Sequence, residues 1–212
     1  MTANAAIIVD NTITGSITND FNSLPSGNDP DFISQTGATY GESFDGQSLA
    51  TGSGFDVLTG TPSSPLTLRA NPTLNDNIGV VNDGLKQIYG DLGGKVGEGA
   101  LSILFDSATN VLGMDVVGTA GSGAFTVQFF ALDGSSLGTI TQSVTNSFFG
   151  FRTTDGEQIR GVSITNTDPN GIAYDNVTFN DISAVPEPAS IMLWGIGVAG
   201  FVAWRRKRGQ IA

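Results

Sequence analysis

Apolar and polar residues alternate along much of the chain after about residue 100, and this alternation restricts the fold more than any other feature. Successive side chains of a β-strand point to opposite faces of its sheet, so a period of two predicts strands with one buried face. The alternating runs begin at Leu101, Leu112, Phe125, Val162 and Ala173. The sequence therefore predicts strands that each bury one side.

Turn-forming residues separate these runs, and the chain contains 29 glycines. Asp133-Gly134 lies between two alternating runs and predicts a tight hairpin turn. Spacings of about 8–12 residues between short strands are typical of a β-sandwich. We therefore expect an all-β body, a β-sandwich of the jelly-roll type, because a jelly roll allows the terminal strands to pair.

The first hundred residues are less regular. Leu66 and Leu68 fit a short strand, whereas Val80 to Asp91 fits either one short helix or a strand with a loop. Gly52 to Leu58 matches one calcium-binding β-roll nonapeptide. Such rolls need stacked copies, so we expect a glycine-rich loop there instead.

The chain contains neither cysteine nor histidine. This excludes a Ser-His-Asp triad, a Cys–His pair, and zinc or copper sites that rely on imidazole or thiolate. Any metal site must use oxygen ligands, which favours calcium. The most plausible enzyme chemistry is a glycosidase with two carboxylates, and no pair of acids stands out. We expect a body without catalytic activity, with a secreted carboxylate-based glycosidase as the alternative.

Acidic residues dominate the body. Residues 1–184 carry 19 acids and 5 bases, a net charge of −14, whereas the remaining residues add +3. A surface this acidic repels phosphate backbones, so nucleic-acid binding is not expected. The acidity otherwise serves solubility.

The C-terminal end has three parts in a fixed order: Pro186-Glu187-Pro188, an uncharged segment, and a basic cluster. The sixteen uncharged residues 189–204 would span about 24 Å as a helix, slightly less than a hydrocarbon core of about 30 Å. The two prolines favour an extended backbone before this segment, and Glu187 places one charge between them. The basic cluster that follows consists of Arg205, Arg206, Lys207 and Arg208.

The uncharged segment is predicted to be one C-terminal transmembrane helix, with a buried core helix as the alternative. Its anchoring residues are Ala189 at the start, Trp194, Gly195 with small-residue packing, and Trp204 at the interface. The positive-inside rule places 205–212 in the cytoplasm and the body in the periplasm.

This tail resembles the sorting signal of PEP-CTERM proteins, in which a Pro-Glu-Pro triad precedes a transmembrane segment and a basic end. The resemblance covers residues 185–208. It implies transient recognition by an exosortase, a membrane-embedded cysteine transpeptidase that cuts at or near the triad. It also implies insertion in the inner membrane, followed by display at the cell surface or secretion, in a Gram-negative bacterium that makes exopolysaccharide.

These features divide the chain into five regions. Residues 1–18 form an N-terminal segment without the basic and apolar regions of a signal peptide, which we interpret as a truncated or mis-assigned start. Residues 19–182 form the β-sandwich, 183–188 the Pro-Glu-Pro linker, 189–204 the transmembrane helix and 205–212 the basic tail.

The body also resembles the sandwich domains that often precede such a tail, including carbohydrate-binding jelly rolls. The motifs that carry this resemblance are Phe21-Asn22, Gly99-Ala100-Leu101, Phe148-Phe149-Gly150-Phe151 and Tyr174-Asp175-Asn176-Val177. In those families an acid in the last strand can bind a structural calcium ion shared with the first strand.

We therefore predict a structural or glycan-associated module, with extracellular polysaccharide as a possible partner. The candidate calcium ligands are Asp175, Asp20 and Asn22, with turn capping by Asp175 as the alternative. Tyr40 and Tyr89 are candidate sugar-stacking aromatics if they are exposed, with placement in the core as the alternative.

Overall fold

A computed structural model of the chain describes residues 7–29, 31–71, 76–118, 121–154 and 156–181. Within these ranges the chain forms strands, turns and loops but no α-helix. No helix long and apolar enough to cross a membrane is found there. The predicted linker, transmembrane helix and basic tail lie beyond residue 181, outside the described ranges.

Sixteen β-strands are present in the described ranges. They are β1 (Ile7–Val9), β2 (Ile17–Asn19), β3 (Gly27–Asp29), β4 (Ile33–Gln35), β5 (Ala38–Gly41), β6 (Ser48–Gly52), β7 (Phe55–Thr59), β8 (Ile78–Asn82), β9 (Lys86–Leu92), β10 (Lys95–Val96), β11 (Leu101–Gly118), β12 (Ala124–Phe130), β13 (Ser136–Ser143), β14 (Ser147–Thr153), β15 (Ile159–Asn166) and β16 (Ile172–Asp181).

Most strands join one large hydrogen-bonded network whose main path runs β13-β12-β15-β11-β16-β9-β8-β3. The 18-residue strand β11 changes partners along its length. Its first half pairs with β15 and β5, and its second half pairs mainly with β14 and β16. The body is therefore all-β and sandwich-like, as the alternation predicts, while the jelly-roll form remains a prediction.

The main core consists of the inward-facing residues of these strands. Phe125, Val127 and Phe129 are fully buried, whereas the side chains between them are only partly buried. Edge-on aromatic contacts join strands across the core, with ring centroids 5.4 Å apart between Phe129 and Phe151. Burying an aromatic of this size contributes about 1.5–3 kcal/mol, so these rings hold the layers together.

A smaller apolar cluster lies under the loops that connect β5 to β8. Phe44, Leu66, Leu68 and Phe130 are its buried members. Phe44 and Leu68 form an isolated β-bridge. The residues around Leu68 therefore pair through this single bridge and do not form the predicted strand. This cluster fixes the loops from which the acidic residues discussed below project.

The structure decides two local predictions. Asp133-Gly134 forms the β12–β13 turn, in which the Gly134 amide donates to the Ala131 carbonyl at 3.0 Å, so the hairpin prediction is confirmed. The helix alternative for Val80 to Asp91 is wrong, because these residues belong to the antiparallel hairpin β8–β9. Val80 and Ile88 are direct cross-strand partners, and both are buried.

Two predicted segments take part in pairing. Gly52 to Leu58 spans the tip and second strand of the hairpin β6–β7, in which Ser53 and Gly54 have positive φ angles. Strand β1, within residues 1–18, pairs with β14, and β2 pairs with the last strand β16. An early strand and the last strand are therefore neighbours in the sheet.

Candidate functional site

A groove of about 590 Å³ separates the hairpin β6–β7 from the sheet formed by β13, β12 and β15. We call it the β7 groove. Its lining is Gly52, Ser53, Phe55, Asp56, Val57, Leu58, Ala124, Thr126, Thr141, Thr165, Asn166 and Thr167. The groove therefore combines an apolar wall on the hairpin with a hydroxyl-rich floor on the sheet.

Three threonines form the floor because they occupy one register position on three neighbouring strands. Thr126 lies opposite Thr141 on one side and opposite Thr165 on the other. The hydroxyls of Thr126 and Thr141 are hydrogen bonded at 2.9 Å. Each hydroxyl can donate and accept, so this row offers neutral hydrogen-bonding groups to a ligand.

The wall of the groove comes from β7. Phe55 is half-buried and Val57 is 42% exposed, so both present apolar surface to the groove. Asp56 lies between them in sequence and faces inward, where its Oδ2 accepts a hydrogen bond from the Ala100 amide at 2.9 Å. Burial raises the pKa of Asp56 to about 6.

A second pocket of about 590 Å³ lies beside the β12–β13 turn. Leu132, 57% exposed, forms part of its apolar surface, while Glu157 and Arg160 line it with charge. Asp133 also lines this pocket, and hydrogen bonds from Ser135 lower the pKa of Asp133. None of the described residues that line this pocket is aromatic, which distinguishes it from the β7 groove.

A second buried acid, besides Asp56, is Glu42. Glu42 follows β5, and its Oε2 accepts a hydrogen bond from Asn71 Nδ2 at 2.8 Å. Burial is the main cause that raises the pKa of Glu42 to about 7, and the nearby charges of Asp56 and Asp76 add to it. Sequence analysis includes Asp56 only within the segment Gly52 to Leu58 that matches a single β-roll nonapeptide, where it expects a glycine-rich loop, and it does not single out Glu42.

The predicted calcium ligands lie at the β2–β16 pairing. Asp175 is buried, and its Oδ1 accepts a hydrogen bond from the Asn176 amide at 2.7 Å. Burial raises the pKa of Asp175, with smaller contributions from the charges of Asp115 and Asp20. Asp20 Oδ1 instead accepts the Asn22 amide at 3.2 Å.

Asp175 and Asp20 are thus close enough to interact, and Asp115, opposite Asp175 on β11, joins them. No group of three or more acidic side chains in the described ranges is arranged to hold a metal ion by itself. Calcium binding by Asp175, Asp20 and Asn22 therefore stays a prediction.

The two candidate stacking aromatics are not on the surface. Tyr40 is fully buried and its hydroxyl accepts a hydrogen bond from Asn19 Nδ2 at 2.8 Å. Tyr89 is also buried. The stacking interpretation is therefore wrong for both, because they occupy inward positions of β5 and β9. Phe55, in contrast, is an aromatic that lines the β7 groove.

The C-terminal signal is recognised by comparison with known families. Residues 184–207 match the PEP-CTERM protein-sorting motif. The match includes Pro186, Glu187 and Pro188, the uncharged segment, and the basic cluster through Lys207. The chain therefore carries a PEP-CTERM sorting motif, and its three parts are those that the sequence predicts.

The body has weaker relationships. No curated protein matches the chain significantly. A mutant family 29 carbohydrate-binding module complexed with cellulohexaose is 13% identical, with a TM-score of 0.32, over 83% of this chain and 91% of the module. Another family 29 module gives 13% identity and a TM-score of 0.32 over 82% and 88%. A TM-score of this size is too low to transfer a fold or a ligand to this chain.

Proposed function

We propose that the chain is an exported cell-envelope or extracellular-matrix protein that an exosortase sorts through its C-terminal tail. The observation that supports this is the PEP-CTERM motif match at residues 184–207. In the proposed sequence of events, the tail anchors the chain in the inner membrane with its body in the periplasm. The exosortase then cuts at or near Pro186-Glu187-Pro188 and the body moves to the cell surface or the medium.

Intact-mass measurement tests this proposal. In cells that contain an exosortase, we expect the mature protein to lack the residues beyond the triad. Replacing Glu187 with Ala removes the charge between the prolines and is expected to retain the full-length, membrane-bound form. Asp106→Ala, a change at an exposed acid of the body, is the control and should be processed normally. A full-length mature C-terminus in exosortase-containing cells would contradict the proposal.

We further propose that the body binds neutral polysaccharide in the β7 groove. Sugar rings present both hydroxyls and apolar faces, and ligand sites commonly pair apolar lining with a few placed polar groups. The groove offers Phe55 and Val57 on one side and the row Thr141, Thr126 and Thr165 on the other. No basic residue of the described ranges lines it, which favours a neutral ligand over an anionic one.

The geometry of the β7 groove gives the glycosidase alternative no support. Catalysis by two carboxylates requires both to reach a glycosidic bond. Among the described residues, Asp56 is the only acid in the lining of the groove, and it is only 3% exposed. The groove therefore does not offer two carboxylates to a sugar, and a binding module is the better interpretation for it.

Affinity electrophoresis in gels that contain the exopolysaccharide of the producing cells tests the binding proposal. Migration of the processed protein should slow, and Phe55→Ala should restore most of the free mobility. Leu85→Ala is the matched control, since Leu85 is exposed but lies outside the groove. Equal retardation of the Phe55→Ala variant would place binding elsewhere, and no retardation of the unchanged protein would refute polysaccharide binding.

A further inference from the structure

Two buried carboxylates, Glu42 just after β5 and Asp56 on β7, each have one oxygen without a hydrogen-bond partner among the described residues. Glu42 and Asp56 are almost fully excluded from solvent. Their second oxygens, Glu42 Oε2 and Asp56 Oδ2, accept bonds from Asn71 and Ala100. Among the described residues, Glu42 Oε1 and Asp56 Oδ1 have no hydrogen-bond partner. Buried polar atoms are nearly always satisfied, so this pair needs an explanation.

The fold brings the two acids to the same place, the start of β11. The Ser102 hydroxyl donates to the Glu42 carbonyl at 3.1 Å, and the Ala100 amide donates to Asp56 Oδ2 at 2.9 Å. Ala100 and Ser102 are two residues apart along one extended segment. Glu42 at the end of β5 and Asp56 on β7 therefore flank the same short stretch of backbone.

A third segment is tied to this place by an asparagine. Asn71 Nδ2 lies 2.8 Å from Glu42 Oε2 and 2.7 Å from the Asp76 carbonyl oxygen. The charge of Asp76 acts on both Glu42 and Asp56. Three segments of an acidic body thus converge, each with a carboxylate.

Within the described residues, Arg69 is the only base whose charge acts on this cluster. Its charge lowers the pKa of Glu42, and this effect is the smallest of those that act on that pKa. Neither of the two salt bridges found in the described ranges includes Glu42 or Asp56. Buried carboxylates are costly unless they are protonated, paired with a cation or bound to a metal. Protonation or a bound cation would relieve the cost of burying Glu42 and Asp56, and a cation would also give the two unsatisfied oxygens a common partner.

We propose that Glu42 Oε1 and Asp56 Oδ1 bind one calcium ion that joins the loop after β5 to strand β7. Two carboxylates balance the charge of a divalent cation, and calcium accepts six to eight oxygen ligands in flexible geometry. Since no three acids in the described ranges hold a metal by themselves, carbonyl, amide and water oxygens complete the set. Calcium suits this mixture better than magnesium, which demands strict octahedral geometry.

This ion would also stabilise the β7 groove, since Asp56 lies between Phe55 and Val57 in its wall. The inference does not depend on polysaccharide binding, because it follows from the buried carboxylates alone. It is distinct from the predicted site at Asp175 and Asp20, which lies at the β2–β16 pairing.

Thermal unfolding of the full-length chain in detergent micelles tests the inference. The melting temperature of chelator-treated protein should rise with millimolar calcium and much less with magnesium, because an ion that binds only the folded state stabilises it. Glu42→Gln and Asp56→Asn should each abolish the shift. Asp106→Asn, at an exposed acid of β11, should retain it. Equilibrium dialysis with radioactive calcium should show that each of the two variants binds one calcium ion fewer than the unchanged protein.

Circular dichroism in chelator separates a lost site from a lost fold. The amide variants remove a buried charge, so they should melt in chelator at or above the temperature of the unchanged protein. Three results would overturn the inference: no calcium shift of the unchanged protein, a shift that both variants retain, or a shift that only Asp175→Asn abolishes. The last result would assign calcium to the β2–β16 pairing instead. None of these results bears on polysaccharide binding, which the Phe55→Ala comparison tests separately.

Discussion

Asn19 and Tyr40 form a buried polar contact between β2 and β5. The Asn19 amide donates to the Tyr40 hydroxyl at 2.8 Å, and both side chains are excluded from solvent. The Tyr40 ring also packs edge-on against Phe21, with ring centroids 5.2 Å apart. Phe21 itself has a φ of 55°, so the chain turns sharply just after β2. This group of residues attaches an early strand to the core.

Tyr40→Phe is expected to destabilise the body although it preserves the ring. It removes the acceptor of Asn19 and leaves a buried amide donor unsatisfied, which costs about 1–3 kcal/mol. The measurement is the free energy of unfolding in urea. Tyr174→Phe is the matched control, because Tyr174 is buried but makes no hydrogen bond through its hydroxyl in the described ranges. Equal losses in both variants would show that the Asn19 contact contributes nothing specific.

At the level of strands, β9 approaches the segment before β11 more closely than side chains permit. The Gly90 carbonyl accepts hydrogen bonds from the Gly97 and Gly99 amides at 2.9 and 3.2 Å. A Cβ at Gly90 would lie 2.3 Å from the Ala100 carbonyl oxygen. Glycine at position 90 therefore allows two backbones to meet directly at the start of β11.

Gly90→Ala is therefore expected to unfold the body more easily. The new methyl group would collide with backbone and not with a movable side chain, and overpacking of this kind costs about 1–3 kcal/mol. Gly52→Ala is the control, because its Cβ would meet only Val57 Cγ2, at 3.0 Å. Urea denaturation of both variants gives the comparison, and an unchanged midpoint for Gly90→Ala would show that β9 can move away.

The strands differ in how far the sequence predicts them. In β12 the alternation itself indicates which residues are buried, because one face of the strand meets the core, whereas β15 and β16 bury successive residues on both faces. The earlier strands are short, and their partners are remote in sequence: β5 pairs with β11, and β2 with β16. The same reason explains why the sequence leaves the hairpin β8–β9 open between helix and strand. This hairpin joins the sheet through Tyr174 of β16, which is remote in sequence.

The candidate sites of the whole molecule were predictable to different degrees. The sorting tail could be predicted because its three parts follow one another in sequence. The sequence predicts that an early strand pairs with the last strand, and β2 does pair with β16, whereas calcium binding by Asp20 and Asp175 stays a prediction. The β7 groove could not be predicted, since Thr126, Thr141 and Thr165 align only through strand register. Glu42, just after β5, and Asp56, on β7, reach the start of β11 only through the tertiary fold.

Charge is also divided across the whole chain, and this division predicts its membrane orientation. Residues 1–184 have a net charge of −14, whereas Arg205, Arg206, Lys207 and Arg208 follow the uncharged segment. Basic residues that flank a membrane span stay in the cytoplasm. The body should therefore face the periplasm and the last eight residues the cytoplasm before processing.

Reporter fusions in cells that lack the exosortase measure this orientation while the anchor is intact. The reporter is a phosphatase that is active only in the periplasm. It should be inactive when it is fused after Arg208. It should be active when it replaces the chain beyond residue 184 in a protein that begins with an added export signal. Replacing the four bases of 205–208 with Gln removes the retained charge, so phosphatase activity of the Arg208 fusion should increase. A fusion after Arg208 that is active with the four bases present would show that the basic cluster is translocated and would refute the orientation.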